Sequence, residues 1–133
     1  RPLSILMIDV DRFKEINDAC GHHVGDLTLR SLAQAVQKAI RTTDVFGRLG
    51  GEEFGVVLPE TDALAAARLA ERLRKQLEEL EIDLSPGSVQ FTVSVGVTSI
   101  SSKKDTLDVL VQRADQALYE AKRGGRNRVR VTT

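Results

Sequence analysis

Apolar positions from Leu3 to Val10 form a continuous run bounded by Pro2 and by Asp9-Val10-Asp11, too short for a stable helix, which predicts a buried strand. Phe13 and Ile16 then recur at helical spacing up to Cys20, and Gly21 stands where a helix stops with positive φ. Gly25-Asp26 is expected to open a longer helix reaching Arg41, with Asp26 capping free N–H groups and Leu27, Leu29, Leu32, Ala33, Val36 and Ile40 on one apolar face. His22 and His23 fall in the linking loop. Between Val45 and Pro59 two short apolar segments flank Gly50-Gly51, the pattern of a β-hairpin. From Asp62 to Leu80 the leucines at 64, 69, 73, 77 and 80, with Ala67, predict an amphipathic helix, and Ser85-Pro86-Gly87 breaks the chain's regularity beyond it. Val89, Phe91, Val93, Val95 and Val97 alternate with small or polar residues, which predicts a strand with one buried face. Helical spacing returns from Thr106 to Lys122 through Leu107, Leu110, Val111, Ala114, Ala117, Leu118 and Ala121, and Gly124-Gly125 ends it before a last strand at 128–131. The order strand, two helices, hairpin, helix, strand, helix, strand predicts an α+β sandwich with helices packed on a mixed sheet.

Composition narrows the function. The chain has 133 residues, 41% hydrophobic and 29% charged, which fits one domain, residues 1–133, with a real core. Nineteen Lys and Arg balance 19 Asp and Glu, so sequence-independent coating of a nucleic acid polymer is not expected, and a phosphate ligand has to be small. Cys20 is alone, so no internal disulfide forms, and with only His22 and His23 beside it there is no closed zinc set; a reducing, cytoplasmic compartment fits best. Cys20 is expected to be a half-buried structural thiol. No stretch approaches the ~20 apolar residues of a membrane span, and the start breaks too early for a signal peptide, so this domain is expected to make no direct membrane contact, whatever tethers the full-length protein.

Asp9 and Asp11 leave the first strand at positions i and i+2, which share a face, and Glu52-Glu53 follow directly on the glycine turn. If the hairpin lies beside that strand, carboxylate oxygens from both converge on a hard divalent cation. Taken singly, each acid reads more readily as a solvated strand-end or turn residue. As a cluster beside a glycine turn they resemble the metal platform of phosphoryl and nucleotidyl transfer.

The segment Arg48-Leu-Gly-Gly-Glu-Glu-Phe54 resembles the signature of GGDEF domains, the diguanylate cyclases, in its GGEEF form. Asp9-Val-Asp-Arg-Phe-Lys-Glu-Ile-Asn17-Asp, Gly21-His-His-Val-Gly-Asp26, Thr92-Val-Ser-Val-Gly96, Ala114-Asp-Gln-Ala-Leu-Tyr119 and Ala121-Lys-Arg-Gly-Gly-Arg-Asn127 join it in the family's order and spacing, so the resemblance covers essentially the whole chain. It implies a ferredoxin-like sheet related to nucleotide-cyclase palms, with the GGEEF turn on the hairpin. It implies condensation of two GTP into cyclic di-GMP with loss of two pyrophosphates, each subunit of an antiparallel homodimer holding one GTP. Asp9, Glu52 and the carbonyl of Val10 match the ligands of magnesium, or manganese in its place, and Glu53 matches the carboxylate assigned to a second metal or to deprotonating the ribose hydroxyl. Asn17 and Asp26 match the guanine-reading pair; Asp26 as helix cap remains open beside that role. Lys122 and Arg126 match contacts to the terminal phosphates, Lys14 and the backbone near Phe13 add a third phosphate candidate, Gly51 lies against the nucleotide, and His22 is expected to order a loop over the base.

Arg41-Thr-Thr-Asp44 stands at the family's spacing for an inhibitory product site, in which Arg41 grips cyclic di-GMP while Asp44 accepts from a guanine N–H edge. Arg72 matches a secondary arginine of that site, and reads equally as a solvated helix residue paired with Glu neighbours. Family members normally begin with a further helical segment carrying an Asp-x-Leu-Thr-x-Leu-x-Asn-Arg-Arg type motif, which this chain starts without. The rival expectations are a catalytically idle domain of this fold that senses cyclic di-GMP or GTP, and a fold whose acids bind nothing. Intact Asp9, Gly50, Gly51, Glu52 and Glu53 favour the enzyme.

Overall fold

The computed structural model describes residues 1–132; Thr133, the last residue of the expected domain, lies outside them. Strand β1 (Leu3–Val10) leads into α1 (Phe13–Cys20) and α2 (His22–Ala39), then the hairpin β2 (Val45–Gly50) and β3 (Glu53–Pro59), and α3 (Ala63–Glu79). A short β4 (Ile82–Asp83) and β5 (Ser88–Val89), then β6 (Val93–Ser99), α4 (Leu107–Arg123) and β7 (Val129–Thr132) complete it. The main sheet has the order β2-β3-β1-β6-β7; β1 pairs antiparallel with β3 and β6, and only β7 runs parallel, beside β6. That is the ferredoxin-like arrangement with one strand added.

Two apolar layers hold the sandwich. Leu6, Ile8, Val10, Val56, Val93 and Val95 pack on α2 and α3 through Leu32, Val36, Leu73 and Leu77. On the opposite face Ile5 and Met7 meet Leu110, Ala114 and Leu118 of α4. Strand β6 is therefore buried on both faces rather than one: Ser94, Gly96 and Thr98 are as buried as the valines between them. Small residues there are what let α4 approach, since a Cβ on Gly96 would lie 2.2 Å from the Ala114 carbonyl oxygen and 2.4 Å from the Leu118 nitrogen.

Four local expectations are corrected. Gly21, at φ 92, ends α1 and immediately starts α2, so His22 and His23 belong to the first turn of that helix and Asp26 lies inside it, capping nothing. Leu64 is 60% exposed, whereas Leu69, Leu73 and Leu77 carry the buried stripe of α3, whose cap is Asp62 accepting from the Ala65 N–H at 2.9 Å. Val89 belongs to the small β4–β5 hairpin around Ser85-Pro86-Gly87, and the long strand begins only at Val93. Cys20 is exposed, because the last turn of α1 faces away from the core.

Candidate functional site

The register of the sheet assembles the acidic cluster. Asp9 sits opposite Glu53 across β1 and β3, and the Val10 N–H donates to the Glu52 carbonyl at 3.3 Å, so the glycine turn is tied to the end of β1. Gly51 makes that turn at φ 50, and Arg48 Nε donates to its carbonyl at 2.9 Å. Helix α4 closes the cluster from the far face: Lys122 Nζ donates to Asp9 Oδ2 at 2.5 Å across 113 residues of chain, with the Asp9 side chain 7% exposed. Asp115, seven positions before Lys122 and so on the same side of the helix, adds its charge near Glu53. Asp115 lies inside the Ala114-Asp-Gln-Ala-Leu-Tyr119 motif, where the sequence assigns it no role; its helical spacing from Lys122 is the signal that could have found it.

Burial raises the Asp9 carboxyl above the usual carboxylate range, and the charges of Glu52 and Asp11 add to this, outweighing the Lys122 ammonium. Glu53 is raised as well, by burial first and then by Asp115 and Asp9. An acid with a raised folded pKa binds its proton more tightly in the folded chain. The stability that this tight proton binding confers is present at low pH and lost as the pH rises through the carboxylate range. A divalent cation in the proton's place would offset the same buried charge. The donor set therefore fits a hard cation: carboxylates of Asp9, Glu52 and Glu53 with the Val10 carbonyl, and an ammonium already drawn to Asp9. Among the described residues no three His, Cys, Asp or Glu side chains are arranged around a common point. Lys122, rather than reaching free toward solvent, holds Asp9.

Asp11 does not join this cluster. Its buried carboxylate accepts from Thr92 Oγ1 at 2.7 Å, Ser94 Oγ at 2.6 Å and the Asn127 backbone N–H at 2.9 Å, which spends both oxygens on the scaffold.

Helices α1 and α2 place the other candidates. Asn17 Oδ1 is buried without a hydrogen-bond partner. It fills the space above Gly25, where a Cβ would lie only 1.8 Å from it, and the Phe13 ring sits 3.3 Å from the same point. A buried acceptor left unpaired is the group that a ligand N–H satisfies. Asp26, next along α2, is exposed on a cleft of about 490 Å³ between α2 and the hairpin, also lined by Arg30, Arg48, Phe46 and Phe54. Lys14 in α1 and His22 in the first turn of α2 are both exposed, His22 in helix and not in a linking loop. Arg126 is exposed in the turn after α4.

The second expected site is also brought together. Arg41, Asp44 and Arg72 line one cavity of about 280 Å³, continued by a cleft bearing Arg72 and Lys75. Asp44 is engaged within the chain, however. Its side chain is 2% exposed and accepts from the Arg41 backbone N–H at 2.8 Å and from Arg41 Nη2 at 3.2 Å. Arg41 Nη2 further donates to the Pro59 carbonyl and Thr61 Oγ1, each at 2.8 Å, so Asp44 orients Arg41 and, among the described residues, only the Nη1 edge of its exposed guanidinium is left to meet a ligand.

The family described as "Diguanylate cyclase, GGDEF domain" matches residues 1–128. "Diguanylate cyclase A" of Treponema denticola is 47% identical over 127 residues, covering 96% of this chain and 34% of that protein. The chain spans about a third of the length of the curated relatives it matches. The structure described as the active GGEEF domain of a diguanylate cyclase from Vibrio cholerae superposes with a TM-score of 0.93 at 39% identity, over 100% of this chain and 84% of that one. The GGDEF domain of DgcB from Caulobacter crescentus, in complex with c-di-GMP, gives 0.92 at 32% identity, over 98% of this chain and 77% of that one.

Proposed function

The chain belongs to the GGDEF family of diguanylate cyclase domains, and from that premise we propose that it condenses two GTP into cyclic di-GMP, releasing two pyrophosphates. The observation that carries this reading is the sheet register that sets Asp9 against Glu53 beside the intact Gly50-Gly51 turn. Asn17 and Asp26 hold guanine by its N–H edge, against which adenine offers the wrong pattern. Lys122 and Arg126, with Lys14 and the backbone beside Phe13, take the phosphates, and Gly51 leaves room for the nucleotide to lie against the turn. Asp9, Glu52 and the Val10 carbonyl would hold magnesium, or manganese in its place, which would supply charge neutralisation at the phosphate under attack and ease ionisation of the ribose hydroxyl. Lys122, which holds Asp9 here, lies at the end of α4 from which its ammonium would reach the phosphates. Glu53, its carboxyl raised by burial and neighbouring charge, takes the proton from the ribose 3′-hydroxyl, which attacks the α-phosphate of the GTP held by a partner subunit as pyrophosphate leaves. Incubation with GTP and magnesium is expected to yield cyclic di-GMP and pyrophosphate by chromatography, and ATP neither. GTP binding without product would favour the idle sensing domain instead.

Product binds at Arg41 and Arg72, away from the acidic cluster, and keeps two half-sites from aligning. Arg72 is exposed, with no hydrogen bond from its side chain among the described residues. Arg72→Ala is therefore expected to weaken cyclic di-GMP about tenfold without changing the melting temperature. Arg41→Ala weakens it more, but also strands the buried Asp44 carboxylate and lowers stability by about 1–3 kcal/mol. Calorimetry and thermal melting on both variants check this; unchanged product affinity in both removes the inhibitory site.

A further inference from the structure

The turn after α4 carries strain that the acidic cluster does not explain. Arg126 and Asn127 stand at φ 62 and φ 48, two consecutive residues other than glycine in the left-handed region. Such a pair persists only where its surroundings hold it. Here they do so from three sides. The Asn127 N–H donates to Asp11 Oδ2 at 2.9 Å, and that carboxylate is anchored in turn by Thr92 and Ser94. The Asn127 side chain bridges to α3, accepting from Arg74 Nη1 at 2.8 Å and donating to Glu78 Oε2 at 2.6 Å. The backbone on either side is tied down as well, Arg126 N–H to the Ala121 carbonyl at 3.0 Å and the Arg128 carbonyl to the Val95 N–H at 3.0 Å.

We infer that Asn127, clamped between Asp11 and the Arg74–Glu78 pair of α3, is a positioning residue that aims Arg126, and with it the end of α4 bearing Lys122, at the phosphates of GTP. The inference rests on reading Arg126 and Lys122 as phosphate-binding. The Asn127 amide uses both ends, oxygen to Arg74 and nitrogen to Glu78, which an aspartate cannot reproduce because it has no N–H to offer Glu78. Arg72, on the same helix as Arg74 and Glu78, lines the cavity proposed for product, so α3 runs from that cavity to the Asn127 clamp.

The test compares two ligands that share the base. One is a GTP analogue with a methylene group between the α- and β-phosphates, which cannot release pyrophosphate; the other is GMP, which lacks the terminal phosphates. Both are titrated by calorimetry with magnesium present. Asn127→Gly keeps the left-handed turn without strain and removes only the side-chain bridge, so the fold is expected to survive. Glu78→Ala breaks the same bridge from α3, and Glu78→Gln keeps an acceptor for the amide. Asn127→Gly and Glu78→Ala are expected to weaken the analogue about tenfold, with GMP unchanged and Glu78→Gln close to the parent. Equal weakening of both ligands would mean a merely structural clamp and overturn the inference, as would parental affinity in both variants while Arg126→Ala loses the analogue. If Arg126→Ala itself binds the analogue like the parent, the phosphate reading fails and takes the inference with it.

Discussion

Asp9→Asn is expected to lower cyclic di-GMP synthesis about a thousandfold or more, because the metal proposed there would supply several kcal/mol of charge stabilisation in the transition state. The substitution keeps the shape of the side chain, so it separates chemistry from folding. In the parent, burial of the Asp9 charge works against folding at neutral pH, which is why its carboxyl is raised, and the Lys122 ammonium offsets only part of that. The neutral amide removes the buried charge together with its partner's attraction. Melting temperature without metal should therefore stay near the parent value. The two proteins separate when magnesium is added: the parent gains stability by binding an ion to its native state, and the variant gains little. Thermal melts with and without magnesium, beside turnover on the same samples, check both halves. Full activity in Asp9→Asn at unchanged magnesium would remove Asp9 from the site.

Gly96→Ala is expected to be the most destabilising single-methyl change in the chain. Its Cβ would meet backbone atoms of α4, the Ala114 oxygen at 2.2 Å and the Leu118 nitrogen at 2.4 Å, and backbone cannot swing aside as a side chain can. Overpacking of this kind costs about 3 kcal/mol or more, which for a domain of this size lowers the melting temperature by roughly 10 °C. The functional consequence exceeds the stability loss. Helix α4 carries Lys122 against Asp9 and leads into the Arg126 turn, so lifting it off β6 would move the proposed phosphate contacts away from the acidic cluster. Nucleotide affinity measured well below the melting temperature should fall with it. A Gly96→Ala protein that melts and binds GTP like the parent would show that α4 does not sit on β6 as described.

Much of this arrangement could be read along the chain because hydrophobic period reports burial directly. The first strand, the glycine hairpin and both long C-terminal helices emerge from it, and the acids at 9, 52 and 53 fall where strand ends and turns must bring them. Period is blind to what covers a small residue. Ser94, Gly96 and Thr98 look like a solvent face until α4 is laid on them. It is equally blind to the partner of a charge. Asp9 and Asp11 are indistinguishable at i and i+2, yet one faces Lys122 and the hairpin while the other is consumed by Thr92, Ser94 and the Asn127 N–H. Asp26 is ambiguous in sequence for a local reason: Gly21 and Gly25 are both plausible helix starts, and only the conformation of Gly21 decides between them.

The central claim is that each chain supplies half of a site that joins two GTP molecules. Its most direct test is the specific rate of cyclic di-GMP formation from GTP and magnesium across a dilution series, with the monomer–dimer balance followed by light scattering. Two half-sites predict specific activity that rises with protein concentration and falls toward zero as the chain becomes monomeric, because one subunit cannot bring two nucleotides into line. Constant specific activity through a demonstrably monomeric range would contradict the account.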